Sequence, residues 1–273
     1  MKRYIPEIES SSLSVVGPVR EDNQDSIRLS DDENPTGPGL LFALADGMGG
    51  YSHGALASLL ALESFSGVLA SQNGSGVVKT LQRAVETANL HVYQKAQQMH
   101  AGRMGTTLTA AYVFGDMLYL AHVGDSRAYL IRDGQCICLT VDHTTVGEMV
   151  RSKLITADKI RTHAQRSILT RSVGIDLFVQ PDIIQQRLRE GDRLVLCSDG
   201  VWSVIEDDEL AQVASRPVSM DELSQNLIDL ALQNQTDDNA SVVVFHLHRL
   251  HPQEDDGDEN STNWFGRLRK LVS

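Results

Sequence analysis

Hydrophobic spacing divides the chain into stretches of two kinds. Over 53–70, Ala55, Leu59, Leu62, Phe65 and Leu69 recur at helical spacing, which predicts an amphipathic helix. Val77, Leu81, Val85, Ala88 and Val92 predict a second, reaching about Met99, with SQNGSG (71–76) as the linker between the two. His91 and His100 are expected to be exposed. Over 104–140 the pattern shortens: β-rich runs are punctuated by Gly115-Asp116, Gly124-Asp125 and Asp133-Gly134, predicting an antiparallel meander of about four strands. Further strands are predicted at 11–17, 26–30, 40–46, 178–187, 192–198 and 240–247. Short helices are predicted over 144–154 and 156–161, and longer ones near 206–215 and 220–233. The loop 30–39 is rich in Asp, Asn, Pro and Gly.

Three apolar runs end in an acid. Leu40 to Ala45 stops at Asp46, Leu118 to Val123 is followed by Gly124-Asp125, and Leu194 to Ser198 runs into Asp199-Gly200. A fourth acid, Asp238, immediately precedes the valine-rich strand at 240–247. Taken singly, each is well explained as a strand closing in a turn, because Asp-Gly is common turn chemistry. Taken together, strand ends on one sheet edge can bring distant acids to one cleft. Clustered carboxylates repel one another, and hard cations such as Mg²⁺ or Mn²⁺ are the natural partners of carboxylate, carbonyl and water oxygens. Gly47, Gly49 and Gly50 let a backbone carbonyl approach an ion or substrate closely. Two such ions can generate a hydroxide at neutral pH and hold it in line with a phosphoryl group. Arg20 offers the bidentate fork a phosphate needs.

Composition narrows the options. At 273 residues the chain is one large domain or two small ones. Its 24 basic and 36 acidic residues give a net charge of −12, which argues against a nucleic-acid partner and suits a cation-holding protein. The three cysteines (Cys136, Cys138, Cys197) form no CxxC or Cys/His cluster, so no structural zinc site of that kind is expected, and reduced thiols point to a cytoplasmic location. The N-terminus lacks the apolar region of a signal peptide, and no stretch reads as long and apolar enough to span a bilayer. Residues 252–263 carry five acids and no bases and are expected to be disordered. The end, WFGRLRKLVS, reads either as a frayed tail or as a short basic and apolar segment that docks on a partner or an anionic membrane. The stretch 141–175, rich in Arg and His, reads either as a mobile substrate-facing insertion or as a solvated helical pair.

Six segments taken in order carry a resemblance. VREDNQDS (19–26), ALADGMGG (43–50), MGTTLTAA (104–111), HVGDSRAYL (122–130), VLCSDGVW (195–202) and TDDNASVVV (236–244) resemble the successive motifs of the metal-dependent serine/threonine protein phosphatases of the 2C type, bacterial branch. The likeness runs from about residue 11 to 248. It implies an α+β fold in which two packed antiparallel β-sheets are flanked by helices on both outer faces, an α-β-β-α sandwich. It implies a phosphatase domain over 1–250, followed by the acidic linker and tail at 251–273.

The resemblance also implies a binuclear Mn²⁺ or Mg²⁺ centre at one end of the sandwich. Asp46 would bridge both ions, the Gly47 carbonyl would bind one, and Asp199 and Asp238 would hold the other. Asp25 would support metal-bound water, Arg20 would grip the substrate phosphate, and Asp125 matches a ligand to a third, weaker ion. The nucleophile would be a metal-bridging water or hydroxide, with no phosphoenzyme. The implied partners are phosphoproteins and a cognate Ser/Thr kinase, with the chain a monomer.

Departures from the family pattern matter. Met48 stands where animal members carry a histidine proposed as general acid, and Ser203 where many carry an acid serving the third ion. Gln24 replaces a common Glu. Residues 143–174, with His143, His163, Arg166 and Arg171, match the family's variable flap and are expected to influence substrate choice. Two alternatives compete. A non-catalytic phosphoprotein-binding relative is disfavoured by the retained Asp46, Asp199, Asp238 and Arg20. A phosphatase with an aspartyl-phosphate nucleophile is disfavoured because Asp46-Gly47-Met48 lacks the second acid of an Asp-x-Asp motif.

Overall fold

The computed structural model describes residues 4–30, 36–49, 53–71 and 76–253. Continuous apolar runs become strands buried on both faces. In β3 (Leu40–Gly49), Leu41, Ala43 and Ala45 face helices, whereas Phe42 and Leu44 face a second sheet. In β10 (Arg193–Cys197), Val195 and Cys197 point outward while Leu194 and Leu196 point inward. β11 (Ala240–Pro252) divides likewise, with Val242 and Val244 outside and Val243, Phe245 and Leu247 inside. Phe42 meets Phe245 between the sheets, ring centroids 4.8 Å apart.

Sheet I has the order β1 (Tyr4–Val15), β11, β10, β7 (Arg127–Arg132), β8 (Gln135–Cys138). Sheet II has the order β2 (Asp25–Leu29), β3, β5 (Leu108–Phe114), β6 (Met117–Val123), β9 (Asp182–Arg187), with β4 (Met104–Thr106) pairing the far end of β3. All these pairings are antiparallel.

Helices α1 (His53–Ala70) and α2 (Val77–Met99) cover sheet II. The outer face of sheet I is covered by α4 (Asp199–Trp202), α5 (Asp207–Ala214) and α6 (Met220–Gln233). Ser219 caps α6 by accepting the Glu222 amide at 3.2 Å. Between β8 and β9 lie α3 (Thr145–Arg151) and a single 3-10 turn (Ala157–Lys159). The α-β-β-α sandwich is therefore present.

Several local expectations change. The 104–140 stretch holds five strands and is not one meander: the chain leaves sheet II after β6 and re-enters in sheet I as β7. Gly124 makes that crossing at φ 112°, and a Cβ there would lie 2.6 Å from Thr107 side-chain atoms. The strand expected at 178–187 begins only at Asp182, and the helix expected at 156–161 is the 3-10 turn. The first strand starts at Tyr4, seven residues before the expected Ser11, and the last runs on to Pro252. α1 is, by length and composition, apolar enough to cross a membrane, contrary to the expectation for the chain. Its apolar side, including Ala57, Ala61, Leu62, Phe65 and Leu69, is instead buried against sheet II and α2. The expectations for 72–75 and 254–273 lie outside the described residues.

Candidate active site

Asp46 lies within β3 and does not end it. β3 pairs β5 as far as Leu44 opposite Thr109, then β4 from Gly47 opposite Thr106. In the gap between these pairings, the Asp46 amide donates to Thr107 Oγ1 at 2.9 Å. The Asp46 carbonyl accepts from Thr106 Oγ1 and from the Thr107 amide, each at 2.8 Å. This change of partner holds the carboxyl at the wall of a cleft. Gly47 follows, its amide bonded to Gln24 O at 3.0 Å. A Cβ at Gly47 would lie 2.0 Å from Gly54 O, so the glycine also lets the start of α1 approach.

Across the β2–β3 pair, Asp25 stands opposite Asp46. Ser241 Oγ donates to Asp25 Oδ2 at 2.6 Å. Asp199 opens α4 directly after β10. Asp238 sits in the turn before β11, where its Oδ2 accepts from the exposed Arg20 Nη2 at 2.5 Å. Asn239 stitches the two segments: its Oδ1 accepts the Gln24 amide at 2.9 Å and its Nδ2 donates to Asp22 O at 3.1 Å. Asp125 is buried after β6, and its carbonyl accepts from Trp202 Nε1 at 2.9 Å. Arg127 lies 3.7 Å over the Trp202 ring and forks onto both oxygens of Asp142, at 2.9 and 2.7 Å.

Arg20, Asp46, Gly47, Asp125, Asp199 and Asp238 all line one cleft of about 370 Å³, together with Met48 and Arg103. Asp25 stands behind Asp46 and does not line it. A smaller recess of about 130 Å³ is shared by Arg20, Asp125, Asp199, Arg166 and Ser203. The four flap residues part company: Arg166 lines the recess, whereas His143 Nδ1 accepts the Gly124 amide and Arg171 binds Asp182. His163 accepts from its own neighbour, the Gln165 amide. Sequence reasoning missed Thr107, Asn239, Ser241, Trp202 and Arg103. All but Arg103 belong to recognisable segments, but no single-residue pattern marks them.

Burial, and then one another's charge, sets the acids. Asp46 and Asp125 are pushed well above the ordinary carboxylate range. Burial raises Asp25 to about 7, with Asp199 and Asp238 adding to it, and Asp199 to about 6, with Asp238 adding to it. Among the described residues, Asp25 Oδ1 and Asp199 Oδ1 are buried carboxylate oxygens without a hydrogen-bond partner. Unpartnered oxygens in a mutually repelling acidic set match the donor chemistry of hard divalent ions. The residues present therefore fit a pair of Mn²⁺ or Mg²⁺ ions.

The comparisons agree. Residues 20–236 match the protein phosphatase 2C family. The serine/threonine protein phosphatase PstP of Mycobacterium tuberculosis is 35% identical over 246 residues, which are 89% of this chain and 46% of PstP; the chain thus spans about half of that relative. Protein phosphatase PhpP of Streptococcus pneumoniae is 30% identical over 245 residues, 88% of this chain and 98% of PhpP. A crystal structure of the PstP catalytic domain with two manganese ions superposes with a TM-score of 0.78 at 32% identity, covering 89% of this chain and 99% of that one. The chain belongs to the protein phosphatase 2C family, the metal-dependent serine/threonine protein phosphatases.

Proposed function

We propose that Asp46, the Gly47 carbonyl, Asp199 and Asp238 hold the two ions of a phosphoserine/phosphothreonine hydrolase, with Arg20 as the phosphate-gripping residue. One observation carries this reading: acids from four separate segments converge on one cleft beside an exposed guanidinium, and a buried oxygen of Asp199 is left unpartnered. When bound, the ions supply charge neutralisation for the phosphate and activation of water. Arg20 leaves Asp238 to fork onto phosphate oxygens. Asp25 uses Oδ2 for Ser241 and keeps Oδ1 free as an acceptor that orients water behind Asp46. Met48 carries no proton, so solvent protonates the leaving alkoxide. Asp125 faces the recess beside Ser203, which brings a hydroxyl where a carboxylate would strengthen binding; a third ion there would be held weakly.

The natural substrates are phosphorylated proteins made by a cognate Ser/Thr kinase. The net charge of −12 supports a chain that binds no nucleic acid. Reduced cysteines support a cytoplasmic location, and the chain acts as a monomer. The test is hydrolysis of a phosphothreonine peptide with Mn²⁺ and with EDTA. Turnover with Mn²⁺ that EDTA abolishes is expected; folded protein that binds the peptide without turnover would show a binding module instead.

A further inference from the structure

At the far end of β11 the outer face of sheet I carries a second group of metal-ligating side chains. Strand periodicity puts Val242, Val244 and His246 in one row, and His248, unpaired where the register shifts, lies against His246. Val242 and Val244 belong to the core beneath α6, and His246 continues the row beyond it. Glu9 is the cross-strand partner of His246. Its Oε2 lies 3.2 Å from His248 Nε2, and the two imidazole centroids are 4.1 Å apart. One ligand atom from each of Glu9, His246 and His248 lies within 4.8 Å of the others. At about 3.3 Å per strand residue, His246 is roughly 20 Å along β11 from Ala240, the first strand residue after Asp238, so this cluster is separate from the acidic cleft.

We propose that Glu9, His246 and His248 form a site for a transition ion of the zinc class, with solvent completing the coordination. Two imidazole nitrogens and one carboxylate oxygen suit Zn²⁺, unlike the all-oxygen cleft. Tetrahedral bonds of about 2.0–2.1 Å need ligand atoms roughly 3.4 Å apart. Closing from at most 4.8 Å takes modest side-chain rotation, and the exposed His248 can exchange its contact with Glu9 for the ion. Glu9 is already oriented: its Oε1 accepts the Met220 amide at 2.8 Å at the start of α6, leaving Oε2 for the ion. The nearby cation Arg193, cross-strand from His246, is occupied by the carbonyls of Ala214 and Arg216. An ion here clamps β1 to β11 beside the register shift at Glu7/Ile8.

Zinc stoichiometry by equilibrium dialysis tests the assignment, with the whole chain and four variants. The Asp46→Asn/Asp199→Asn chain, disabled in the cleft, is expected to retain one zinc ion. Adding His246→Ala and His248→Ala is expected to remove it. The histidine pair replaced alone is expected to keep the parent's Mn²⁺-dependent turnover, which shows a folded chain, while binding one zinc fewer. Glu9→Gln, which preserves an acceptor for Met220, is expected to weaken zinc binding with the metal-free Tm unchanged. Equal zinc stoichiometry with and without the two histidines would overturn the site.

Discussion

Asp25 and Asp46 stand directly opposite each other across the β2–β3 pair, two carboxyls facing in a largely buried setting. Like charges so placed destabilise a sheet. An acid whose folded pKa is raised carries no penalty at low pH, where it is protonated folded and unfolded alike. The penalty grows as pH rises from its ordinary value of about 4 through its folded value, about 6 for Asp199 and about 7 for Asp25. Metal-free protein is therefore expected to lose stability across that window. The Tm gained on adding Mn²⁺ is expected to be larger at about pH 8 than at about pH 5. Scanning calorimetry at both pH values checks this, and equal gains would contradict it.

Neutralising Asp46 removes repulsion and, on the proposed mechanism, a metal ligand together. Asp46→Asn is expected to raise the metal-free Tm by about 2–4 °C for each kcal/mol of repulsion relieved. The same variant is expected to show no Mn²⁺-dependent turnover. A metal-free Tm at or below that of the parent would show that the clustered acids are not strained without cations.

Arg20 is half exposed, with its side chain at 50% relative accessibility, and reaches Asp238 from outside the core. Arg20→Lys keeps the charge and loses the fork. The expected result is a rise in KM for a phosphothreonine peptide of about tenfold, corresponding to about 1.4 kcal/mol. The change in stability should stay within about 0.5 kcal/mol, as for other surface substitutions. Steady-state kinetics and urea denaturation measure the two quantities.

Arg161 ties the 143–174 insertion to the body of the protein. Its Nε donates to Trp202 O at 2.9 Å, and its Nη2 to Ile205 O at 3.1 Å and Asp207 Oδ1 at 2.6 Å. Arg161→Ala is expected to accelerate amide exchange over residues 152–168 by at least about tenfold, since charged hydrogen bonds contribute about 1.5–3 kcal/mol each. Exchange in β3 and β11 should not change. Hydrogen-exchange mass spectrometry separates this from global destabilisation.

Much of the architecture was legible because helical periodicity is long-range. α1 and α2 fall at 53–70 and 77–99, as Ala55 to Leu69 and Val77 to Val92 predict. What misled was local turn chemistry. Asp46-Gly47 reads as the end of a strand, yet β3 continues to Gly49 because β4 is there to pair it. Gly124-Asp125 reads as a hairpin, yet it crosses between sheets, because Ala128 and Leu130 pack in the inter-sheet core on the β10 side. Asp46, Asp125, Asp199 and Asp238 were visible as acids following or preceding apolar runs. Asp25 was visible only through resemblance, since VREDNQDS on its own is indistinguishable from a solvated loop. Asn239, Thr107 and Ser241 act through long-range hydrogen bonds, as from Asn239 to Asp22 and Gln24, that no periodicity encodes.

On the proposed mechanism, Asp46, Asp199 and Asp238 hold the ions on which hydrolysis depends. The most direct test measures Mn²⁺ stoichiometry and phosphothreonine-peptide turnover on the same samples of the parent chain and of Asp199→Asn. Two Mn²⁺ ions with turnover are expected in the parent, and fewer bound ions with turnover lost in the folded variant. Parental stoichiometry and turnover in Asp199→Asn would contradict it.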